Sequence, residues 1–204
     1  MKIAMNNAAL PLALFLAFLG AGCAGPKTTY VDPGSSRLVT TTEGVNIQDF
    51  SQAADAMVNS LIDQLINPGQ LQSGAPGQPA LLAISRIQNN TGQQLDTDLL
   101  VRKIRIALLR TGKVQTSTTI AFGGPEDPLA AEEQQNNQFF NNQPTRRPDY
   151  TLSGKIIEDR TSAGKVRQSA YVFQLALTQV GQGIAVWEEE KTIVKQGARP
   201  SVGF

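Results

Sequence analysis

The only cysteine of the chain, Cys23, stands where a short apolar run meets small residues, in Leu19-Gly20-Ala21-Gly22-Cys23. Upstream, Lys2 is the one charge before an uncharged stretch over residues 8–19. A positive n-region, an apolar core of about 7 to 15 residues and a small-residue cleavage site make a secretory signal. The run falls short of the about 20 apolar residues that a stable membrane span needs. A cysteine directly after the cleavage site is the acceptor of a bacterial lipoprotein signal, so residues 1–22 read as the signal peptide and Cys23 as the lipidated new N-terminus. This constrains the fold. The chain beyond Cys23 has no second cysteine, so an exported domain has to be held by its core alone, without disulfides, in an oxidising compartment.

The rest of the composition excludes more than it suggests. There is no histidine, which removes Ser-His-Asp and Cys-His catalysis and the commonest zinc and iron ligand. Once Lys2 leaves with the signal, the 18 basic residues of the whole chain fall to parity with its 17 acidic ones. Neutrality gives no general reason to bind nucleic acid or an anionic surface. Aspartate after the acylated cysteine usually retains a lipoprotein in the inner membrane of Gram-negative bacteria. Ala24 therefore argues for anchorage in the outer membrane, on its periplasmic face.

Residues 23–46 are rich in Gly, Pro, Ser and Thr and have no apolar period, the composition of a flexible linker. Fully extended, such a tether reaches at most about 80 Å. A globular domain over 47–204 comes next. Its first helix is expected to start at Asp49, with Gln52 at capping-box spacing. Phe50, Ala53, Ala54, Met57, Val58, Leu61, Ile62 and Leu65 share one face up to the stop at Asn67-Pro68-Gly69. Residues 80–87 form a short apolar run of strand type, and 88–92 a turn. A second helix opens at Asp96 or Thr97, with Leu100, Ile104, Ala107 and Leu108 inward, Arg102, Lys103, Arg105 and Arg110 mostly toward water, and Gly112 as C-cap. Residues 113–120 alternate as a further strand, so strand, helix and strand imply parallel neighbours. Over 123–148 a short helix after Pro128 gives way to a Gln/Asn-rich tract read as a mobile loop. Residues 149–157, 169–180 and 184–194 are three strands, the last two a hairpin about Gly181-Gln182-Gly183, with Tyr171, Phe173, Leu175 and Leu177 on one face.

The chemical motifs in this framework are weak. Ser162-Ala163-Gly164-Lys165 has Ser-x-x-Lys spacing but lies in a turn without the Ser-Asp-Asn and Lys-Thr-Gly companions of that motif. Thr111-Gly112-Lys113 lacks the first glycine and the final hydroxyl of a phosphate loop. In Glu188-Glu189-Glu190 only the outer two share a strand face, as on a solvated edge rather than around a metal. The basic residues of the second helix complement its dipole, and Trp187 and Tyr171 read as packing residues. No catalytic, cofactor or metal residue is assigned; the one site residue is Cys23, for lipidation.

Strand, helix, strand, insertion, strand and hairpin make a small mixed α/β domain, a β-sheet packed with helices. Particular segments add to this: Met57-Val58-Asn59-Ser60-Leu61-Ile62, Asn89-Asn90-Thr91, Ile104-Arg105-Ile106-Ala107-Leu108 with Gly112-Lys113-Val114, Asp149-Tyr150-Thr151-Leu152-Ser153-Gly154, Phe173-Gln174-Leu175-Ala176-Leu177 and Ile184-Ala185-Val186-Trp187. Over most of residues 48–196 the chain resembles the LpoB family, outer-membrane lipoproteins that activate penicillin-binding proteins, and more distantly the TolB N-terminal-domain-like folds that include the lipoprotein CsgG. The resemblance implies a non-enzymatic protein whose partner is a bifunctional, class A penicillin-binding protein, and which regulates peptidoglycan synthesis from a lipid anchor. It implies no cofactor and no small-molecule substrate. The alternative it allows is a structural or accessory lipoprotein of an envelope export or assembly system.

Overall fold

The computed structural model describes residues 31–32, 35, 44–120, 125–142 and 144–198. Cys23 and the signal segment lie outside the described residues. The domain is built on a five-stranded sheet in the order β2-β1-β3-β4-β5. Its strands are β1 (Ala80–Asn90), β2 (Val114–Thr116), β3 (Tyr150–Ala163), β4 (Val166–Gln179) and β5 (Ile184–Ala198). β1 pairs in parallel with β2 and with β3, and the β3–β4 and β4–β5 pairs are antiparallel. Helices α1 (Ile47–Leu61) and α2 (Asp98–Arg110) share one core with the sheet's inner face, and α3 (Pro128–Asn141) buries no residue.

Helix α1 begins one turn earlier than its sequence suggests. Asn46 is the N-cap: its Oδ1 accepts from the amides of Gln48 and Asp49 at 3.0 and 3.1 Å, and Asp49 Oδ2 accepts from the Asn46 amide at 2.8 Å. Asp49 is thus the last residue of a capping box rather than its first. The helix ends in a π-helical turn over Ile62–Ile66, closed by the Asn67 amide on the Ile62 carbonyl at 2.7 Å. The wider turn rotates Ile66 into the core beside Leu65 and leaves Ile62 only partly buried, a phase change that a 3.6-residue period does not anticipate.

Residues 44–46, expected in the linker, belong to the domain. Val45 is buried, its amide donates to Gln93 Oε1 at 2.7 Å, and the Gly44 amide donates to the Tyr171 hydroxyl at 2.7 Å. The strand expected over 113–120 pairs only through Val114–Thr116. The Ser117 hydroxyl accepts from the amides of Thr119 and Ile120 at 3.3 and 2.9 Å, a side-chain turn that takes the chain off the sheet.

The expected loop over 123–148 is helical across its Gln/Asn-rich tract. Asp127 Oδ1 caps the Ala130 amide at 3.0 Å, Pro128 occupies the first turn, and Asn142 closes the helix in the left-handed conformation at φ 48°. Ala, Glu and Gln are good helix formers, and a capped helix satisfies its own backbone without a core. β3 and β4 run on past their expected limits to a two-residue turn at Gly164-Lys165, with Gly164 at φ +59°. Glycine first in a two-residue loop is the type II′ hairpin pattern.

On the inner face the alternation holds: Tyr171, Phe173, Leu175 and Leu177 are all buried, as are Leu82, Ile84, Ile87, Leu152 and Ile156. Gly154 is required in this layer. A Cβ there would lie 2.4 Å from the Gln174 carbonyl oxygen and 2.6 Å from Leu175 Cδ2, so any side chain would force β3 and β4 apart.

Candidate interaction surface

The charged residues nearest the core are fixtures of the fold. Asp149 Oδ1 accepts from the Gly74 amide at 2.8 Å; its Oδ2 accepts from the Leu81 amide at 2.8 Å and from Arg146 at 2.9 Å. Arg146 also donates to the Pro79 carbonyl at 2.7 Å, the Ser73 hydroxyl at 3.0 Å and Gln78 Oε1 at 2.9 Å. One ion pair therefore clamps the loop before β1 to the start of β3. Burial pushes the Asp149 carboxyl up, but the two amides and the guanidinium outweigh it and hold it below the usual carboxylate range.

A second cluster gathers where the chain joins the domain. Glu158 accepts from Arg160 at 2.6 Å, from the Gly92 amide at 2.8 Å and from the Tyr171 hydroxyl at 2.9 Å. Burial again works against the charge, and these donors still keep Glu158 below its ordinary value. Tyr171 is held above its own by burial and by the neighbouring carboxylate. Lys195 pairs with Asp49, donates to the Gly44 carbonyl at 2.9 Å and lies 5.8 Å from the centre of the Tyr171 ring.

Arg105 corrects the sequence reading of the second helix. It is buried rather than turned to water, and its guanidinium grips both oxygens of Glu126, whose carboxyl is lowered chiefly by that hydrogen bond. The pair ties the segment leading into α3 to α2. Its acidic partner lies 21 residues along the chain, a separation that helical periodicity does not reveal.

The sequence motifs separate in space. Gly164-Lys165 forms the β3–β4 turn, Gly112 takes φ +67° behind α2, and Lys113 donates to the Asn67 carbonyl at 3.2 Å. Glu188 and Glu190 lie on the open face of β5, while Glu189 turns to the helix side and accepts from the Ser60 hydroxyl at 2.6 Å. Trp187 is buried, as its pattern implies. Among the described residues no three Asp, Glu, His or Cys side chains come together as metal ligands would, and no helix is long and apolar enough to cross a membrane.

Two outward surfaces stand out among the described residues. One is the sheet face opposite α1 and α2, which carries a groove of about 780 Å³ across β1, β3, β4 and β5. The other is α3, whose Leu129, Phe139 and Phe140 are 76%, 80% and 82% exposed. The Gln/Asn bias of the tract obscures this aromatic pair. The innermost charges are thus locked into architecture, while these two faces lie open.

The family model for the peptidoglycan-synthase activator LpoB matches residues 49–193. The chain belongs to the LpoB family. Among solved structures it is similar in fold to the LpoB C-terminal domain from Escherichia coli, at 17% identity and TM-score 0.42, covering 71% of this chain and 98% of that one. The LpoB C-terminal domain from Salmonella enterica gives 16% identity and TM-score 0.41 over the same shares. Lipoprotein GNA1162 from Neisseria meningitidis gives 12% and 0.34, covering 61% of this chain and 88% of that one. No curated protein matches the sequence.

Proposed function

We propose that this protein is a lipid-anchored activator of a bifunctional, class A penicillin-binding protein, acting from the periplasmic face of the outer membrane. The observation that carries the reading is the family match over residues 49–193, which takes in β1 to β4, α2 and most of α1 and β5. The locked ion pairs agree with it, since an activator needs a rigid surface and no poised acid or base. Activation by binding is a population shift, and a tenfold gain in active synthase takes about 1.4 kcal/mol of preference for the active state. A small interface supplies that.

In a reconstituted synthesis assay with lipid-linked precursor, the purified protein should raise glycan polymerisation or cross-linking by a bifunctional synthase of the same cell several-fold, while showing no turnover alone. Unchanged rates with every such synthase would move the assignment to an envelope-assembly role.

Anchorage rests on Cys23. Two or more acyl chains hold a protein at a membrane where one does not. Mass spectrometry of the mature N-terminus is expected to find Cys23 carrying a diacylglyceryl thioether and an acylated amine; an unmodified thiol there would refute the anchor.

A further inference from the structure

We propose that the groove on the open sheet face is a binding site for short dipolar peptides, taking a carboxylate at Arg86 and Lys155 and a primary amine at Glu188 and Glu190. Strand register builds this arrangement. Gln88 pairs with Lys155, Lys155 with Gln174, and Gln174 with Glu190, which makes one row across four strands. Ser153, Ala176 and Glu188 form the next row. With neighbouring strands about 4.8 Å apart, Lys155 and Glu190 stand about 10 Å apart at the backbone.

A bulge in β1 completes the basic side. Ile84 pairs with Leu152 and Ile87 with Gly154, so Ser85 and Arg86 together oppose Ser153. The extra residue keeps both isoleucines in the core while Arg86 stays exposed on the groove. Bulges commonly re-aim a side chain in this way.

These charges differ from those nearest the core. Arg105, Arg146, Arg160 and Lys195 are all committed to carboxylates of the fold. Among the described residues, the side chains of Arg86, Lys155 and Glu188 make no hydrogen bond or ion pair. Glu190 accepts only from Gln174, at 2.6 Å. Opposite charges are thus held apart across a floor of Ser153, Gln174 and Ala176, unneutralised by each other.

Size and chemistry select the occupant. A volume of about 780 Å³ falls in the range of small-ligand sites, about 300 to 1,000 Å³. The described lining has no aromatic ring on which a sugar could stack. A peptide of three or four residues with a free carboxylate and a free side-chain amine satisfies both walls. Uncross-linked peptide stems of the cell wall have this chemistry. That source rests on the proposed function, whereas binding itself does not.

The test titrates the full-length protein in detergent with a synthetic tetrapeptide of alanine, γ-linked glutamate, lysine and D-alanine, followed by NMR shifts and calorimetry. Saturable shifts at Ser85, Lys155, Gln174 and Glu190 are expected. Acetylating both amines of the peptide, or the double change R86A/K155A, should weaken binding about tenfold, the worth of a charged hydrogen bond. E188Q/E190Q, which keeps the shape, should remove the preference for the free amines. No saturation, shifts confined to other surfaces, or equal binding of the acetylated peptide would overturn the site, as would equal binding of a peptide-free glycan fragment. The synthesis assay separates the two claims. If R86A/K155A loses the peptide but still stimulates the synthase, activation uses another surface; if the native protein binds the peptide but stimulates nothing, the activator reading fails while the groove stands.

Discussion

Phe173→Ala should lower the free energy of unfolding by about 3 to 5 kcal/mol. Phe173 is 1% exposed in the middle of β4, and its ring meets Phe50 of α1 edge to face, with centroids 5.9 Å apart and planes at 72°. Truncation removes a large buried surface and leaves a cavity under a helix that is held by its capping box and by this packing. Because β4 is paired on both sides, its backbone is poorly placed to collapse into the space. Phe173→Leu keeps most of the volume and should cost less than half as much. Urea melts of the two variants check this; a Phe173→Ala loss below about 1 kcal/mol would mean that α1 does not pack there.

The other large effect concerns Asp149. Asp149→Ala leaves the Gly74 and Leu81 amides and the Arg146 guanidinium without their acceptor, at an expected cost of about 3 kcal/mol. The same carboxylate makes a pH prediction. Its folded-state pKa lies below the ordinary value of 3.8, so folding favours the ionised form. The stabilisation is complete above the unfolded value and disappears as pH falls from near 4 through the lowered folded value. Glu158 and Glu126, both held below the ordinary 4.5, act with the same sign over a slightly higher range. Stability should therefore be flat near neutrality and fall steeply on acidification below about pH 4.5. Asp149→Ala should be less stable at pH 7 and show a shallower acid limb. Melting temperatures of both proteins from pH 3 to 7 decide it, and parallel curves would remove Asp149 from the acid response.

These two residues mark the line between local and tertiary information. Phe173 was legible because strand alternation depends only on neighbours along the chain: one face of β4 has to be apolar wherever that strand lies. The same holds for α1, whose inward residues recur at helical spacing, and for the β4–β5 hairpin, whose glycines mark the turn. Asp149 was legible only as the edge of a strand. Its role as a clamp depends on Gly74 and Leu81, 75 and 68 residues away.

The departures from the sequence expectation share that cause. Arg105 looks solvated because its helical neighbours are basic, and Glu126 rescues it from a distance. Gly44 and Val45 look like tether because the tether composition runs into them, until Tyr171 and Gln93 claim their amides. The Gln/Asn-rich tract reads as loop because it has no core to pack on, whereas its two caps and its helix formers suffice to close the backbone bonds of α3.

Local periodicity and turn residues are enough to give the order of the helices and strands and the inward set of β4, and the segments quoted above carry the resemblance to the family that the family model shows. Which charges are structural and which are free is a matter of tertiary contact. It is the sheet register that sets Arg86 and Lys155 opposite Glu188 and Glu190, residues that are about 30 to more than 100 positions apart along the chain. Side chains that distant become neighbours only through strand pairing, which no local pattern specifies.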